Sequence, residues 1–276
     1  MIINADSAQL YRDLPILSAA PSLDDLNRAE HRLYGVRDGA DSCSAAEWAD
    51  LARCEIAEIQ AEGKLPILVG GTGLYLRTLL DGIAPIPPID PEIRQRVRSA
   101  NVETNRTQLE RLNPVAAERL NAGDTTRIAR ALEIILSTGE SLAAWHERRE
   151  GGIGDQVALQ PLILLPPRDW LYKRCDERFA AMMSRGAIEE VRALLGRNLD
   201  PQLPIMRAIG VREVAAYLAR DSSLDEAIAA GQLATRKYAK RQYTWFANQP
   251  SADWPRWTEP LETDLEPPLA LLQAKA

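Results

Sequence analysis

Three groups of residues in this sequence have types and spacings that could do chemistry. Asp6 follows the apolar pair Ile2-Ile3 and leads into Ser7-Ala8-Gln9. Ligands of open parallel sheets gather at the carboxyl ends of strands, where a carboxylate can hydrogen-bond an amine and take its proton. The same aspartate could instead cap the turn after its strand. Gly70-Gly71-Thr72-Gly73 stands between an apolar run and a helical one. Backbone N–H groups and a helix N-terminus at such a turn favour an anion, and Thr72 adds a hydroxyl donor. A tight strand-to-helix turn would need the same glycines. The third group is basic: Arg127 and Arg130 within 124–133, Arg207 and Arg212 around Gly210, and Arg236-Lys237-Tyr238-Ala239-Lys240-Arg241-Gln242-Tyr243. Arg127 and Arg130, three apart, share a helix face. Arginine and lysine bind phosphates, and aromatic rings stack on unpaired bases. These segments suggest a local RNA face; a solvated helix with its aromatics in the core would show the same pattern.

The elements that must position these groups follow from periodicity. Residues 1–12 read as a buried strand and its turn. Ala46, Ala49, Ala52, Ile56 and Ile59 recur at helical spacing within 44–62, with Ser44 at the start and Gly63 at the end. Leu65-Pro66-Ile67-Leu68-Val69 shows no alternation, as in a strand of a parallel sheet, and a helix from Leu74 to Leu80 follows the glycines. Strand, helix, strand, glycine turn, helix is α/β winding. The proline-rich 83–91 reads as a linker, and 89–149 as an inserted all-helical subdomain closed by Gly151-Gly152-Ile153-Gly154. Residues 159–165 predict a strand returning to the sheet. The rest, to about 248, is helical, and 249–276 reads as a loose extension. The expected domains are therefore 1–88 with 150–248, the insertion, and the extension.

Composition bounds the class. Of 276 residues, 46% are hydrophobic and 26% charged, enough to bury a core. No apolar run of membrane-spanning length occurs and no basic-then-apolar leader opens the chain, so a cytoplasmic protein without membrane attachment is expected. A net charge of −6 argues against non-specific coating of nucleic acid but leaves a local basic face open. The three cysteines form no CxxC pair and read as buried free thiols. The two histidines show no ligand spacing, so no metal is caged by side chains.

Six segments then carry a resemblance: ADSAQLYR at 5–12, LPILVGGTGLYLRTLLDG at 65–82, the Asp-x-x-Arg-x-x-Arg-Ala-Leu-Glu of 124–133, DERFAAMMSRG at 176–186, RAIGVRE at 207–213 and TRKYAKRQYTWF at 235–246. In this order they resemble the tRNA dimethylallyltransferase family over about 1–248. The resemblance implies a P-loop-kinase-like parallel-sheet core with a helical insertion that grips the anticodon stem-loop. It implies transfer of a dimethylallyl group from dimethylallyl diphosphate to N6 of adenosine 37, in tRNAs reading codons that begin with U, with Mg²⁺ as cofactor. Carried over residue by residue, Asp6 is the general base, Thr72 donates to the diphosphate, and Arg178 stabilises the leaving charge. Ser7, Ala8, Gln9, Gly70 and Gly71 line the substrate channel. Arg94, Thr126, Arg127, Ile128, Ala129, Arg130, Arg207 and Arg212 face tRNA. The target base is expected to flip into its channel, and the protein to act as a monomer.

The sequence departs from that pattern. The family places a strand, a P-loop and a helix, about 30 residues by the usual lengths of these pieces, ahead of the Asp-Ser motif. The only Gly-Lys here is Gly63-Lys64, at a helix end. The expectation is a chain whose first strand and P-loop are absent, with the functional protein extending upstream of Met1; as written it should transfer little. The alternative is a non-catalytic tRNA-binding remnant. A prenyltransferase of free adenine nucleotides is disfavoured, since a small acceptor needs no helical insertion. Val211, where an aromatic is common, and Ser18-Ala19-Ala20-Pro21 are smaller departures.

Overall fold

The computed structural model describes residues 1–261 and 265–273, and divides into two units: Met1–Leu79 with the chain from Gln156 onward, and Leu80–Asp155. The first unit opens with β1 (Ile2–Asn4), α1 (Leu23–Arg28), β2 (His31–Arg32), α2 (Ala45–Ala61) and β3 (Ile67–Val69). The three strands form a parallel sheet in the order β2-β1-β3, with Ile2 opposite His31 and Ile67, and Asn4 opposite Val69. Parallel strands need crossover connections, and α2 lies in the one that carries the chain from β2 past β1 to β3. Ser44 and Glu47 form a capping box at the start of α2, and the helix buries Trp48, Ala49, Ala52, Ile56 and Ile59. α3 (Gly73–Asp81) then leads into the second unit.

The apolar run at β3 forms a parallel strand as its lack of alternation predicts, yet Ile67 and Val69 are 47% and 49% exposed, with β3 at the end of the sheet among the described residues. The strand expected over 159–165 does not join it. Only β4 (Ile163–Leu164) forms there, since Pro161 and Pro166-Pro167 bracket it, and it pairs in parallel with β5 (Arg256–Trp257). The tail is thus not wholly loose. The Arg256 guanidinium donates to the carbonyls of Pro250, Ser251, Ala252 and Trp254 and holds β5 in place. Residues 262–264 and 274–276 of the expected extension lie outside the described residues.

The helices of the first unit are α9 (Arg168–Ser184), α10 (Ala187–Gly196), α11 (Val211–Leu218), α12 (Leu224–Asn248) and α13 (Glu266–Gln273), numbered after those of the second. α9 and α12 pack closely because Gly231 admits the Phe179 ring, which would lie 2.0 Å from a Cβ there. Both carboxylate oxygens of Asp176 accept from a single nitrogen, Arg236 Nη1, at 2.6 and 2.7 Å. This charge-assisted pair ties α9 to α12.

The second unit is helical: α4 (Pro91–Ser99), α5 (Val102–Leu112), α6 (Pro114–Arg119), α7 (Thr125–Thr138) and α8 (Leu142–His146). Asp124 caps α7 by accepting from the Arg127 N–H at 3.0 Å, and Gly139 ends it in the left-handed region at φ 75°. Leu109, Ala117, Ile128 and Ala131 form its core, joined by Val102 and Leu120. Ile83 and Glu150 pair across the base of the unit. Gly82 stands there because a Cβ would meet the Glu150 carbonyl at 2.4 Å.

Candidate active site

Asp6 begins where β1 ends. Asn4, fully buried, holds it from behind: its Oδ1 accepts from the Asp6 N–H at 2.7 Å, and its Nδ2 donates to the Asp6 and Leu33 carbonyls at 3.0 Å each. The Trp48 indole donates to the Asn4 carbonyl at 2.9 Å. The Asp6 carboxylate in turn accepts from the Ala8 N–H at 2.8 Å. Burial pushes the Asp6 carboxyl above the ordinary aspartate range, while the Ala8 and Gln9 N–H groups and the Arg178 charge oppose that rise. A carboxylate made more basic in this way is suited to accept a proton.

The glycine turn lies beside it. Thr72 Oγ1 accepts from the Ser7 N–H at 3.0 Å and donates to Ser7 Oγ at 3.3 Å, and the Thr72 N–H donates to the Ala5 carbonyl at 3.1 Å. Packing accounts for the glycines. A Cβ on Gly70 would fall 2.2 Å from the Ala5 backbone, one on Gly71 1.9 Å from Gln242, and one on Gly73 2.4 Å from the Trp245 ring. α12 docks on this turn, and Gln242 donates to the Gly71 carbonyl at 3.0 Å. Of the two sequence readings of these glycines, the geometry supports the tight turn.

Asp6, Ser7 and Ala8 open onto a cavity of about 340 Å³. Arg178 and Arg207 line it from α9 and from the short turn before α11. Tyr11, Tyr75, Leu17, Phe179, Met182 and Ile205 give it an apolar wall, and Tyr75 is stacked on Trp48 with ring centroids 4.6 Å apart. Gln9 is not in this wall; its amide donates to the Ser18 and Ala19 carbonyls at 3.1 and 2.7 Å. Arg212 is exposed on the first turn of α11 and does not line the cavity. Tyr238 does line it, from α12, with its hydroxyl beside the side chains of Thr72 and Gln242. Cys43 and Cys175 are also wall residues, and burial raises both thiols, so they are poor nucleophiles there. Against the expectation of buried thiols, Cys54 is exposed and Cys43 half-buried.

A family comparison bears on this arrangement. Residues 9–249 match the family described as IPP transferase. The chain belongs to the IPP transferase family. A tRNA dimethylallyltransferase of Sphingopyxis alaskensis is 57% identical over 270 residues, which cover 98% of this chain and 88% of the relative. One from Erythrobacter litoralis is 58% identical over 256 residues, covering 93% and 81%. The full-length tRNA isopentenylpyrophosphate transferase of Bacillus halodurans shares the fold at TM-score 0.68 and 31% identity, covering 99% of this chain and 88% of that one. A eukaryotic dimethylallyltransferase, in crystallographic snapshots of its action on tRNA, aligns at TM-score 0.73 and 25% identity over 88% of this chain and 62% of its own. The mixed α/β architecture with a parallel sheet is thus that of the IPP transferases.

In the helical unit of this family member, Thr126 and Arg127 are exposed on the first turn of α7, and Arg127 pairs with Asp124 at 3.5 Å. Arg94 is exposed on α4, and Arg130 and Ala129 are half-buried. Ile128, expected at the tRNA face, is instead 1% exposed in the core. Helical periodicity explains this, since one residue between two outward-facing arginines must turn inward. In the sequence Tyr238 stands only as one aromatic of the basic 236–243 segment, and Asn4, Arg98 and Glu133 carry no assigned role, although the spacing of Arg94 and Arg98 places them on one face.

Among the described residues, no group of three His, Cys, Asp or Glu could cage a metal ion, and no helix is long and apolar enough to cross a membrane. The oxygen donors at the strand ends are Asp6, Ser7 and Thr72. Such a sparse, hard set fits an Mg²⁺ that keeps waters and substrate phosphates among its ligands.

Proposed function

We propose that this IPP transferase transfers a dimethylallyl group from dimethylallyl diphosphate to the exocyclic N6 of adenosine 37 in the anticodon loop of tRNAs reading codons that begin with U, in the cytoplasm. The observation that carries this reading is Asp6: a carboxylate made more basic by burial, clamped at a strand end, and facing a cavity that also holds Arg178.

N6 of the adenine attacks C1 of the dimethylallyl group, the C1–oxygen bond breaks, and diphosphate leaves with that electron pair. Asp6 takes the proton from N6. An exocyclic amine is a weak nucleophile, so a carboxylate within hydrogen-bond reach both orients it and removes its proton. The Arg178 fork binds the diphosphate and stabilises the charge that grows on it. The Thr72 hydroxyl, which donates to Ser7 Oγ in the free protein, would turn to donate to the same oxygens. The Ser7 and Thr72 hydroxyls would hold Mg²⁺ with the diphosphate, where the ion would supply neutralisation of phosphate charge. The apolar wall shelters the prenyl group from water. The unit Leu80–Asp155 holds the anticodon arm through its exposed arginines.

The test is direct. An anticodon stem-loop carrying adenosine 37 is incubated with dimethylallyl diphosphate and Mg²⁺, and its nucleosides are analysed by mass spectrometry. Dimethylallyladenosine at position 37, absent when guanosine replaces the adenosine, is the expected result. Tight binding of the stem-loop with no transfer would overturn the catalytic reading and leave a tRNA-binding protein.

A further inference from the structure

Glu133 lies on α7 with its side chain wholly buried, yet it faces two arginines whose side chains reach solvent. Its Oε1 accepts from Arg98 Nε at 2.8 Å, and Arg98 is 64% exposed. Its Oε2 lies 3.7 Å from Arg130 Nη1 and has no hydrogen bond. A buried carboxylate is costly, and one with an unsatisfied oxygen more so. Here it ties α4 to α7 and sets two guanidinium groups side by side. Arg98 gives Glu133 only its Nε, and among the described residues no acceptor takes its two terminal nitrogens. Arg130 makes a loose ion pair and no hydrogen bond. Arg94, one turn before Arg98, and Arg127, one turn before Arg130, extend the positive charge along both helices.

Guanidinium forks with open N–H donors match phosphate oxygens in bidentate geometry. We propose that Arg98 and Arg130, held in register by Glu133, form a two-arginine clamp on the phosphodiester backbone of RNA, with Glu133 as its positioning residue. This rests on the reading that the helical unit binds tRNA, and adds to it one further contact and the group that organises it.

The sign of one substitution separates positioning from simple charge. Glu133→Gln keeps the shape and removes a negative charge. If only net charge mattered, RNA would bind more tightly. If Glu133 positions the forks, binding weakens, by about threefold or more, since a neutral amide holds a guanidinium less firmly than a carboxylate does. The affinity for an anticodon stem-loop is measured by fluorescence anisotropy over a series of KCl concentrations. Arg98→Ala and Arg130→Ala should each lower the slope of log affinity against log salt by about 0.9, the value for one phosphate contact on a duplex. Arg98→Lys, at an exposed position that tolerates change, should keep the slope and still lose affinity, because the charge remains and the fork does not. Tighter binding by Glu133→Gln overturns the positioning role. An unchanged slope in Arg98→Ala, with normal prenyl transfer by the parent protein, overturns the clamp alone. Failure of the parent to bind the stem-loop overturns the clamp and the tRNA reading together.

Discussion

The buried side chain of Asn4 holds both backbone polar groups of Asp6, accepting from its N–H at 2.7 Å and donating to its carbonyl at 3.0 Å. Two bonds from one amide fix the peptide planes on either side of Asp6, and so fix the direction of its Cβ. The carboxylate is therefore aimed by a residue that never touches the cavity. Asn4→Leu removes the side-chain partner of the Asp6 N–H, the Asp6 carbonyl and the Leu33 carbonyl, at about 1–3 kcal/mol for each group left buried and unpaired. It should lower the urea midpoint accordingly. Misaiming the carboxylate should also cut kcat by about 10²-fold, with KM for tRNA little changed, because small displacements of a reacting group cost rate far more than binding. Asn4→Ser, which retains one polar partner, should recover part of both. Equal loss of kcat in the two variants would remove the positioning role.

Asp6→Asn separates catalysis from stability. Without a general base, turnover should fall by about 10²-fold or more. The folded-state pKa of Asp6 is raised, chiefly by burial. The neutral acid is therefore the form the fold prefers. Stability from this group is fully present below the unfolded pKa and is lost as pH rises through the folded one. At neutral pH the native protein carries a desolvated charge that asparagine does not, so Asp6→Asn should melt higher than the parent at pH 7.5. The gain should shrink as pH falls through the folded pKa of Asp6. Thermal melts across that range check this, and a variant that melts lower at pH 7.5 would contradict it.

Much of the site was legible because each part obeys a local rule. The Ile2-Ile3 strand runs into Asp6, Ile67–Val69 runs into the glycine turn, and parallel pairing of the two strands brings those ends together. Ser44 and Gly63 bracket α2 as their types require. What could not be read depends on pairing across distance. Nothing near Ile163 announces that Arg256–Trp257 will be its partner, because a two-residue strand carries no period. Gly71 reads as a phosphate-turn glycine until Gln242, 171 positions on, is seen against it. Glu133 looks like any helical glutamate, since the alternation of apolar and charged residues in 124–133 does not show that α4 will cover it.

The turn glycines should differ in how they tolerate a methyl group. On Gly70 a Cβ would lie 2.2 Å from the Ala5 carbonyl carbon, a backbone atom just past β1 that is held by the Ala5 N–H to Val69 and the Thr72 N–H to Ala5 hydrogen bonds. On Gly71 it would lie 1.9 Å from Gln242 Nε2, the far end of a flexible side chain. Gly70→Ala should therefore cost more than about 3 kcal/mol and abolish activity. Gly71→Ala should cost about 1 kcal/mol, the worth of the Gln242 hydrogen bond it displaces. Chemical denaturation of the two variants decides between this order and its reverse.

Arg178 acts on two partners, and one substitution should report both. As the group that meets the leaving diphosphate, its loss in Arg178→Ala should lower kcat by about 10²–10³-fold, the range for removing one donor to developing charge. Arg178→Lys should recover part of this, because it keeps the charge and loses the fork. The Arg178 charge also lowers the Asp6 pKa against the rise caused by burial. Removing it lets that pKa climb, so at a given pH less of Asp6 is in the basic form. The acid limb of the kcat/KM profile should then move to higher pH in Arg178→Ala and stay near its original position in Arg178→Lys. A uniform loss of rate with an unmoved acid limb in Arg178→Ala would show that Arg178 serves the diphosphate alone and that Asp6 does not sense it.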